Sequence, residues 1–470
     1  MFTRSKSYFT TVLLTLSLFL TGCSDSDDDD DVDGIVDATA LLVNGIPDSP
    51  PLTITFDVDP DEDDLTPESS TLINFQQATS SQLITTSNFS YRVSYENPVS
   101  EQTVTLIAET NLTIESSTIH TLLLTGTFDT PAVVSLTKPV GDLDTTEELE
   151  AEIEMINLSS VDPVSVSLSE QGSTSVPAAT LSPGGSIEPY RLNSELTYDL
   201  SLEDVNDTLY AVDQLEFTNR SRRTLVITDD LSTNPASVSV FLVTESGSII
   251  TFENILANPA LKVVNLVADK TPLNIEISDS FSEAQQLLTS LEFLEASSQI
   301  EVDLASVFLD VLVTDASDQA QYSSILSLDG GLSYTLLLAG LARDESISGR
   351  LESNDPRPIS TLSNVQVIHG VSSRVIDEDG ESETIELDVY KLLGGESLSD
   401  VSPIASGLDF TESQLVTLPA SPTIFVVTEA GTETIVAGPE PLILEPKSNP
   451  LLVVSESEGG GLPMKLSLTL

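Results

Sequence analysis

Lys262-Val263-Val264-Asn265-Leu266, followed by Leu273-Asn274-Ile275-Glu276-Ile277, is the stretch that decides the fold of this chain. Its first half is an apolar run that includes one asparagine. Its second half alternates apolar and polar residues, which is the period of a half-buried β-strand. The same pattern occurs four times, around the polar residues Asn44, Asn157, Asn265 and His369. We call these four places the marker positions.

The marker positions are 113, 108 and 104 residues apart. A period near 110 residues is too long for a solenoid unit and fits whole domains in tandem. Each copy also ends in a closing strand. The four closing strands are predicted at Thr121-Leu122-Leu123-Leu124, Thr224-Leu225-Val226-Ile227, Thr335-Leu336-Leu337-Leu338 and Leu451-Leu452-Val453-Val454.

Aromatic residues support the register inside the copies. Phe75, Phe293 and Phe410 each follow an apolar residue by two positions, and an aromatic residue comes 15 or 16 positions later, at Tyr91, Phe308 and Phe425. The second copy lacks the phenylalanine and offers Leu181 in its neighbourhood. Residues 282–298 also allow a helix, but the register of Phe293 favours a strand in the second half.

Strands of period two at intervals of about 10 residues favour sandwiches of roughly seven strands. We therefore predict an all-β chain with four Ig-like antiparallel β-sandwich domains in tandem. The predicted domains span residues 38–141, 153–253, 260–352 and 361–470. The linkers at 142–152, 254–259 and 353–360 are short, so we expect neighbouring domains to be semi-rigidly stacked end to end.

The net charge of the chain limits the classes of molecule that it can bind. Among its 470 residues, 17 are basic and 75 are acidic, which gives a net charge of −58. Such a chain is repelled by nucleic acid and by anionic lipid headgroups, so nucleic-acid binding is excluded. Because Cys23 is the single cysteine, no internal disulfide can form.

Residues 1–22 have the parts of an export signal. Arg4 and Lys6 precede an apolar run that extends from Tyr8 to Leu20. This run is too short to span a bilayer as a helix. Leu20-Thr21-Gly22-Cys23 resembles the lipobox of bacterial lipoproteins. The resemblance implies a signal peptide at 1–22, acylation of Cys23 and, because Ser24 follows, sorting to the outer membrane.

The segment after Cys23 is rich in aspartate. Asp29-x-Asp31-x-Asp33-Gly34 matches the start of an EF-hand loop, but its twelfth position is Ala40 and no helical pattern flanks it. We therefore interpret residues 23–37 as the lipidated cysteine and a solvated, self-repelling tether.

The repeated body resembles the bacterial domain of unknown function 4397. The resemblance rests on Val263-Val264-Asn265 through Ile277, Ser333-Tyr334-Thr335-Leu336, Val367-Ile368-His369 and Leu387-Asp388-Val389-Tyr390. Copies one and two depart from it in the middle. It implies β-sandwich modules of lipoproteins and surface proteins, and it brings no activity and no catalytic residues.

Few residues suit catalysis. The chain has two histidines, His120 and His369, and His369 takes a position that is asparagine in the other copies. We interpret that position as a polar side chain that hydrogen-bonds a loop. There is no Gly-x-Ser-x-Gly elbow and no glycine-rich phosphate loop, and acylation of Cys23 would exclude Cys/His metal sites. We expect no enzyme and no cofactor.

Two acidic clusters are candidates for calcium, one with Asp57, Asp59 and Asp61 and one with Asp377 and Asp379. They lie at different places in their copies, so we interpret them as solvated loops. The basic cluster Arg220, Arg222 and Arg223 precedes a closing strand. It is expected to pair with nearby acids or to protect an edge strand from aggregation, and a ligand-facing role is the alternative.

The sequence thus predicts a non-enzymatic lipoprotein that is anchored to the outer membrane through Cys23 and faces the periplasm or the cell surface. Its expected role is a structural spacer, an adhesin-like element or a scaffold, with the lipid bilayer as a partner and an envelope protein or glycan as a further one. The alternatives are a carbohydrate- or calcium-dependent binding module and, third, an extracellular hydrolase.

Overall fold

The structure is a computed structural model of the 470-residue chain. It describes residues 38–57, 69–84, 88–140, 149–171, 177–187, 189–232, 237–278, 284–303, 308–354, 357–372, 374–376, 382–460 and 463–469. The predicted signal peptide and tether lie outside these residues. Within the described ranges, no helix is long and apolar enough to span a bilayer.

The prediction of an all-β tandem array is confirmed. Repeat 1 contains β1 (Ala38–Asn44), β2 (Leu52–Asp57), β3 (Ser69–Ile73), β4 (Gln77–Ala78), β5 (Gln82–Ile84), β6 (Asn88–Asn97), β7 (Gln102–Thr113), β8 (Thr118–Thr127) and β9 (Thr130–Pro139). Repeat 2 contains β10 (Glu150–Asn157), β11 (Val164–Glu170), β12 (Pro177–Leu181), β13 (Tyr190–Asn193), β14 (Thr197–Glu203), β15 (Thr208–Glu216), β16 (Arg222–Asp230), β17 (Ser237–Thr244) and β18 (Ile249–Thr251).

The second half of the chain repeats this plan. Repeat 3 contains β19 (Ala260–Val267), β20 (Leu273–Ser278), β21 (Gln285–Leu291), β22 (Ile300–Glu301), β23 (Phe308–Asp315), β24 (Ala320–Ser327), β25 (Ser333–Gly340), a 3₁₀ helix (Ala342–Asp344) and β26 (Ser348–Asn354). Repeat 4 contains β27 (Leu362–His369), β28 (Arg374–Ile376), β29 (Ser382–Thr384), β30 (Leu387–Leu392), a 3₁₀ helix (Leu398–Asp400), β31 (Ala405–Leu408), β32 (Ser413–Pro419), β33 (Pro422–Glu429), β34 (Ile435–Ile443), β35 (Leu451–Ser455) and β36 (Lys465–Thr469).

Each repeat contains two main sheets, and repeat 4 has a further two-stranded sheet of β28 and β29. In repeat 3 the first sheet has the order β22-β19-β25-β26 and the second has the order β21-β20-β23-β24. The first sheet of every repeat joins the opening strand (β1, β10, β19 or β27) to the closing strand (β8, β16, β25 or β35) in parallel. The predicted antiparallel sandwiches therefore contain one parallel pair each, and the other pairs between named strands are antiparallel.

The predicted closing strands are confirmed residue by residue. In all four repeats the marker residue lies opposite the fourth residue of the predicted closing segment. The four parallel pairs are Asn44 with Leu124, Asn157 with Ile227, Asn265 with Leu338 and His369 with Val454. The period of about 110 residues therefore reflects one fold that occurs four times.

The phenylalanines of the sequence pattern lie in turns and not in strands. Phe75, Phe293 and Phe410 each precede a residue with positive φ, at 55°, 64° and 69°. In repeat 2 these two places hold Pro183 and Gly184, so Leu181 is not the counterpart of the phenylalanine. Leu181 instead corresponds to the buried residues Ile73, Leu291 and Leu408, two positions earlier.

The second aromatic position is confirmed in two repeats. Tyr91 and Phe425 lie opposite the fifth residues of β2 and β30 and are buried. Phe308 was predicted at the same place but begins β23 and is 60 % exposed, and Val311 takes the buried position. In the described part of 282–298, Gln285–Leu291 is a strand, so the helix alternative is wrong and the strand occupies the first half.

Repeats 1 and 2 pack face to face through their first sheets. The residue before each marker position points out of its own sandwich and is buried against the other repeat, as Val43 and Ile156 show. Leu123 and Val226 do the same in the closing strands, and Phe241 of β17 is a fully buried member of this cluster. The contact therefore buries the second face of sheets that already cover a core.

Repeats 3 and 4 form the equivalent contact. Val264 and Leu337 pack against Ile368 and Val453. Gly370 also lies there, where a Cβ would be 2.6 Å from Leu266 Cδ1, so only glycine fits without movement. The expected end-to-end stacking is therefore wrong for repeats 1 and 2 and for repeats 3 and 4, because each of these pairs packs through sheet faces.

The linker at 254–259 is held in place. The Asn254 side chain accepts hydrogen bonds from the backbone N–H groups of Ala211 (3.0 Å) and Leu256 (3.1 Å) and donates to the carbonyl of Leu209 (3.1 Å). On the other side, Gly330 approaches the carbonyl of Ala257. This segment is therefore fixed to repeat 2 and contacts repeat 3.

Candidate functional site

The marker positions are structural. Asn265 is fully buried, accepts a hydrogen bond from Val267 N (2.9 Å) and donates one to the Leu291 carbonyl (2.9 Å). Asn44 and Asn157 accept from the residue two positions on in the same way. His369 accepts from Val371 N at Nδ1 (3.2 Å). The predicted role, a polar side chain that hydrogen-bonds a loop, is confirmed.

Replacing Asn265 with alanine is expected to lower the free energy of unfolding by about 2 kcal/mol, because a buried N–H and a buried carbonyl lose their partner. Urea unfolding followed by circular dichroism measures this change. The matched control is Asn206→Ala, which removes an exposed amide in a turn and should stay within about 0.5 kcal/mol of the parent. Equal effects of the two substitutions would contradict the structural role.

His369 is held in its neutral form. Its Nδ1 accepts from Val371 N, so Nε2 carries the proton and donates to the Ile385 carbonyl (2.7 Å). Burial lowers the pKa of His369, against the opposing effects of the Ile385 carbonyl, Asp409 and Glu412. Burial also lowers the pKa of His120, whose ring lies between the hydroxyls of Thr118 and Thr137.

A histidine with a lowered pKa stabilises the fold above its ordinary pKa of about 6.5, and this stability is lost as the pH falls below that value. We therefore expect the free energy of unfolding to fall between pH 7.5 and 5.5. His369→Asn, which introduces the residue of the other repeats, should flatten this dependence, and His369→Asn with His120→Asn should flatten it further. Urea unfolding across this pH range measures it; an unchanged slope in the double variant would contradict the assignment.

Four of the five acidic candidates lie outside the described residues, namely Asp59, Asp61, Asp377 and Asp379. Cys23 lies outside them as well. Asp57 is the last residue of β2, opposite Ser90. Among the residues that the structure describes, no group of three or more His, Cys, Asp or Glu could hold a metal ion.

The basic cluster is used at a contact between repeats. Arg222 is buried, with Nε 3.4 Å from Glu152 and Nη1 donating to the Pro139 carbonyl of repeat 1 (3.1 Å). The predicted pairing with nearby acids is confirmed for Arg222. The edge-strand interpretation is wrong, because β16 lies between β10 and β17.

Asp48 forms a joint between repeats 1 and 4 that the sequence pattern did not indicate. Its carboxylate is buried and accepts from Phe128 N (2.8 Å), Ser360 Oγ (2.7 Å) and Lys447 Nζ (2.9 Å). Its backbone carbonyl accepts from Ser360 N (2.9 Å). One side chain therefore joins a loop of the first repeat to the linker before the last repeat and to Lys447 of the last repeat.

Three interactions of Arg357 support the Asp48 joint. Arg357 Nη1 donates to the carbonyls of Pro47 (2.9 Å) and Ser49 (3.2 Å), and its guanidinium lies over the Phe75 ring at 5.2 Å.

Burial alone would raise the pKa of Asp48, but the hydrogen bonds from Lys447, Ser360 and Phe128 outweigh it and hold the pKa of this carboxyl below its ordinary value.

Many of the 17 basic residues of the chain lie at contacts between repeats. At least five basic residues contact a repeat other than their own, and Arg357 of the linker 353–360 contacts repeat 1; the five are Lys138, Arg222, Arg343, Arg350 and Lys447. Lys138 is buried in the contact between repeats 1 and 2, 3.3 Å from Glu154. In a chain with a net charge of −58, these cations offset the repulsion between neighbouring repeats.

A cavity of about 500 Å³ lies where repeat 2, the linker 254–259 and repeat 3 meet. Leu209 and Val238 line it from repeat 2, and Glu301 and Leu332 line it from repeat 3. Sequence reasoning missed this cavity because it is formed by segments of two repeats and no motif marks it.

Comparison with protein-family models and with curated proteins finds no match to this chain.

Proposed function

We propose that this protein is a non-enzymatic lipoprotein of the bacterial outer membrane, with a scaffold or spacer role in the cell envelope. The observation that carries the proposal is Leu20-Thr21-Gly22-Cys23 at the end of an apolar run that follows Arg4 and Lys6. Acyl chains on Cys23 would hold the protein on the bilayer without a spanning segment.

The described repeats support the scaffold role. The opening and closing strands of their first sheets are buried on both faces, and buried charged groups join repeat 1 to repeats 2 and 4. Broad apolar contacts and hydrogen-bonded joints restrict the motion of one repeat against another. An array that holds its repeats in fixed positions suits a protein that positions other envelope components at a distance from the bilayer.

Cys23→Ser tests the anchor. The parent should fractionate with membranes and incorporate an alkyne-labelled fatty acid, and the variant should be released and stay unlabelled. Ser24→Ala, one residue away, is the matched control and should leave both results unchanged. Membrane retention of the unlabelled Cys23→Ser variant would contradict the proposal.

Titration calorimetry with calcium and with a panel of glycans tests the scaffold role against the binding module. A scaffold should give no saturable heat and no rise in melting temperature, whereas a specific ligand stabilises the folded state that binds it. Protease treatment of intact cells then places the repeats: surface exposure favours an adhesin-like role, and protection favours a periplasmic scaffold.

A further inference from the structure

The cavity between repeats 2 and 3 has the size of a small-molecule site. Sites for such ligands usually have volumes of about 300–1,000 Å³, apolar walls and a few polar groups, and this cavity holds about 500 Å³. Its floor is partly Val238, which belongs to the core of repeat 2. The cavity therefore rests on a packed sandwich.

Two leucines give the cavity an apolar wall that is open to water. Leu256 of the linker is 48 % exposed and Leu332 of repeat 3 is 45 % exposed, and both line it. The hydrogen bonds of Asn254 fix the linker that carries Leu256. A ligand with an apolar body would cover both side chains and remove their surface from water.

The polar side of the cavity carries negative charge. Glu301 lies in β22, paired with Ala260 of β19, and its Oε1 accepts a hydrogen bond from Asn258 Nδ2 (3.0 Å). The described lining residues include no lysine and no arginine. Because the whole chain carries a net charge of −58, its field also disfavours anions there.

We propose that this cavity binds a small organic amine. The apolar body of the amine packs on Leu256 and Leu332, and its ammonium pairs with the Glu301 carboxylate. Charge complementarity selects a cation over a neutral molecule of the same shape, and the apolar wall selects an amine with a hydrophobic body over a bare ammonium ion.

Three probes of matched shape test the proposal on the full chain by ¹⁹F NMR titration: 2-(4-fluorophenyl)ethylamine, 2-(4-fluorophenyl)ethanol and 3-(4-fluorophenyl)propanoate. The amine should bind about fivefold more tightly than the alcohol, which is the effect of one exposed ion pair. The propanoate should bind more weakly than both. Titrations in 0.5 M NaCl suppress non-specific attraction of the amine to the acidic surface.

Variants assign the effect to the cavity. Glu301→Gln should reduce amine affinity to that of the alcohol, and Glu440→Gln in repeat 4 should leave it unchanged. Leu332→Ser should weaken the amine and the alcohol alike, and Ile325→Ser, which alters an exposed residue outside the cavity, should weaken neither. The proposal fails if the amine does not saturate, if all three probes bind equally, or if Glu301→Gln and Glu440→Gln behave alike. Melting temperatures confirm that each variant folds.

Discussion

Replacing Phe241 with alanine is expected to lower the free energy of unfolding by about 4 kcal/mol, since removal of a buried aromatic ring leaves a cavity as well as losing apolar contact. Phe241 is fully buried between repeats 1 and 2, in one cluster with Leu41, Val43 and Leu123 of repeat 1. The loss should therefore reach both repeats. Urea unfolding gives the energy, and hydrogen exchange should show faster exchange in β1 and β8 as well as in β17.

Phe425→Ala is the matched control for Phe241→Ala. Phe425 is equally buried but belongs to the core of repeat 4 alone. A similar loss of stability is expected, with no change of exchange in β1 and β8. If Phe241→Ala changed exchange only within repeat 2, the contact between the two repeats would carry no stability.

Replacing Asp48 with alanine is expected to cost about 3 kcal/mol. The substitution leaves the buried Phe128 N–H and the Ser360 hydroxyl without their acceptor and removes the partner of Lys447. Lys447 is 43 % exposed and can be solvated again, which limits the cost. Hydrogen exchange at the amides of Phe128 and Ser360 should accelerate.

The Asp48 joint should also weaken in acid. A carboxyl whose pKa is lowered by folding contributes stability above its ordinary pKa of about 4, and this contribution is lost as the pH falls through the folded value. In the parent protein, the protection factors of the Phe128 and Ser360 amides, which correct for the slower intrinsic exchange of amides in acid, should therefore fall as the pH is lowered below about 4 and approach those of Asp48→Ala at pH 7. Asp204→Ala, which removes an exposed loop carboxylate, should leave both amides unchanged at pH 7. Protection factors that stay unchanged while the pH is lowered below about 4 would contradict the assignment.

The sequence predicted the strands whose residues keep a simple period. Alternation in 273–277 reflects β20, with one face on the core and one face on the solvent side, and the marker positions recur because each satisfies buried backbone groups that only a polar side chain can reach. Phe308 was misplaced because spacing along the chain does not fix the register of a strand: in repeat 3 the residue opposite the fifth position of β20 is Val311, three residues after Phe308.

The contacts between repeats are marked in the sequence by apolar runs. Leu41-Leu42-Val43 and Leu122-Leu123-Leu124 are continuous apolar runs, which is typical of strands buried on both faces. No comparable signal marks Asp48. It stands in a loop, and its partners Ser360 and Lys447 are 312 and 399 positions away. Periodicity reports local burial, so it could not reveal an interaction over such a distance.

The double-faced burial of the opening and closing strands also bears on how such a chain changes length over evolutionary time. Loss of repeat 2 alone would leave Val43 and Leu123 with no surface to cover them, and the chain would then expose a broad apolar face. A duplication of one repeat would create the same problem. We therefore expect related genes to gain or lose these repeats two at a time, so that the first sheet of every repeat stays packed against the first sheet of another.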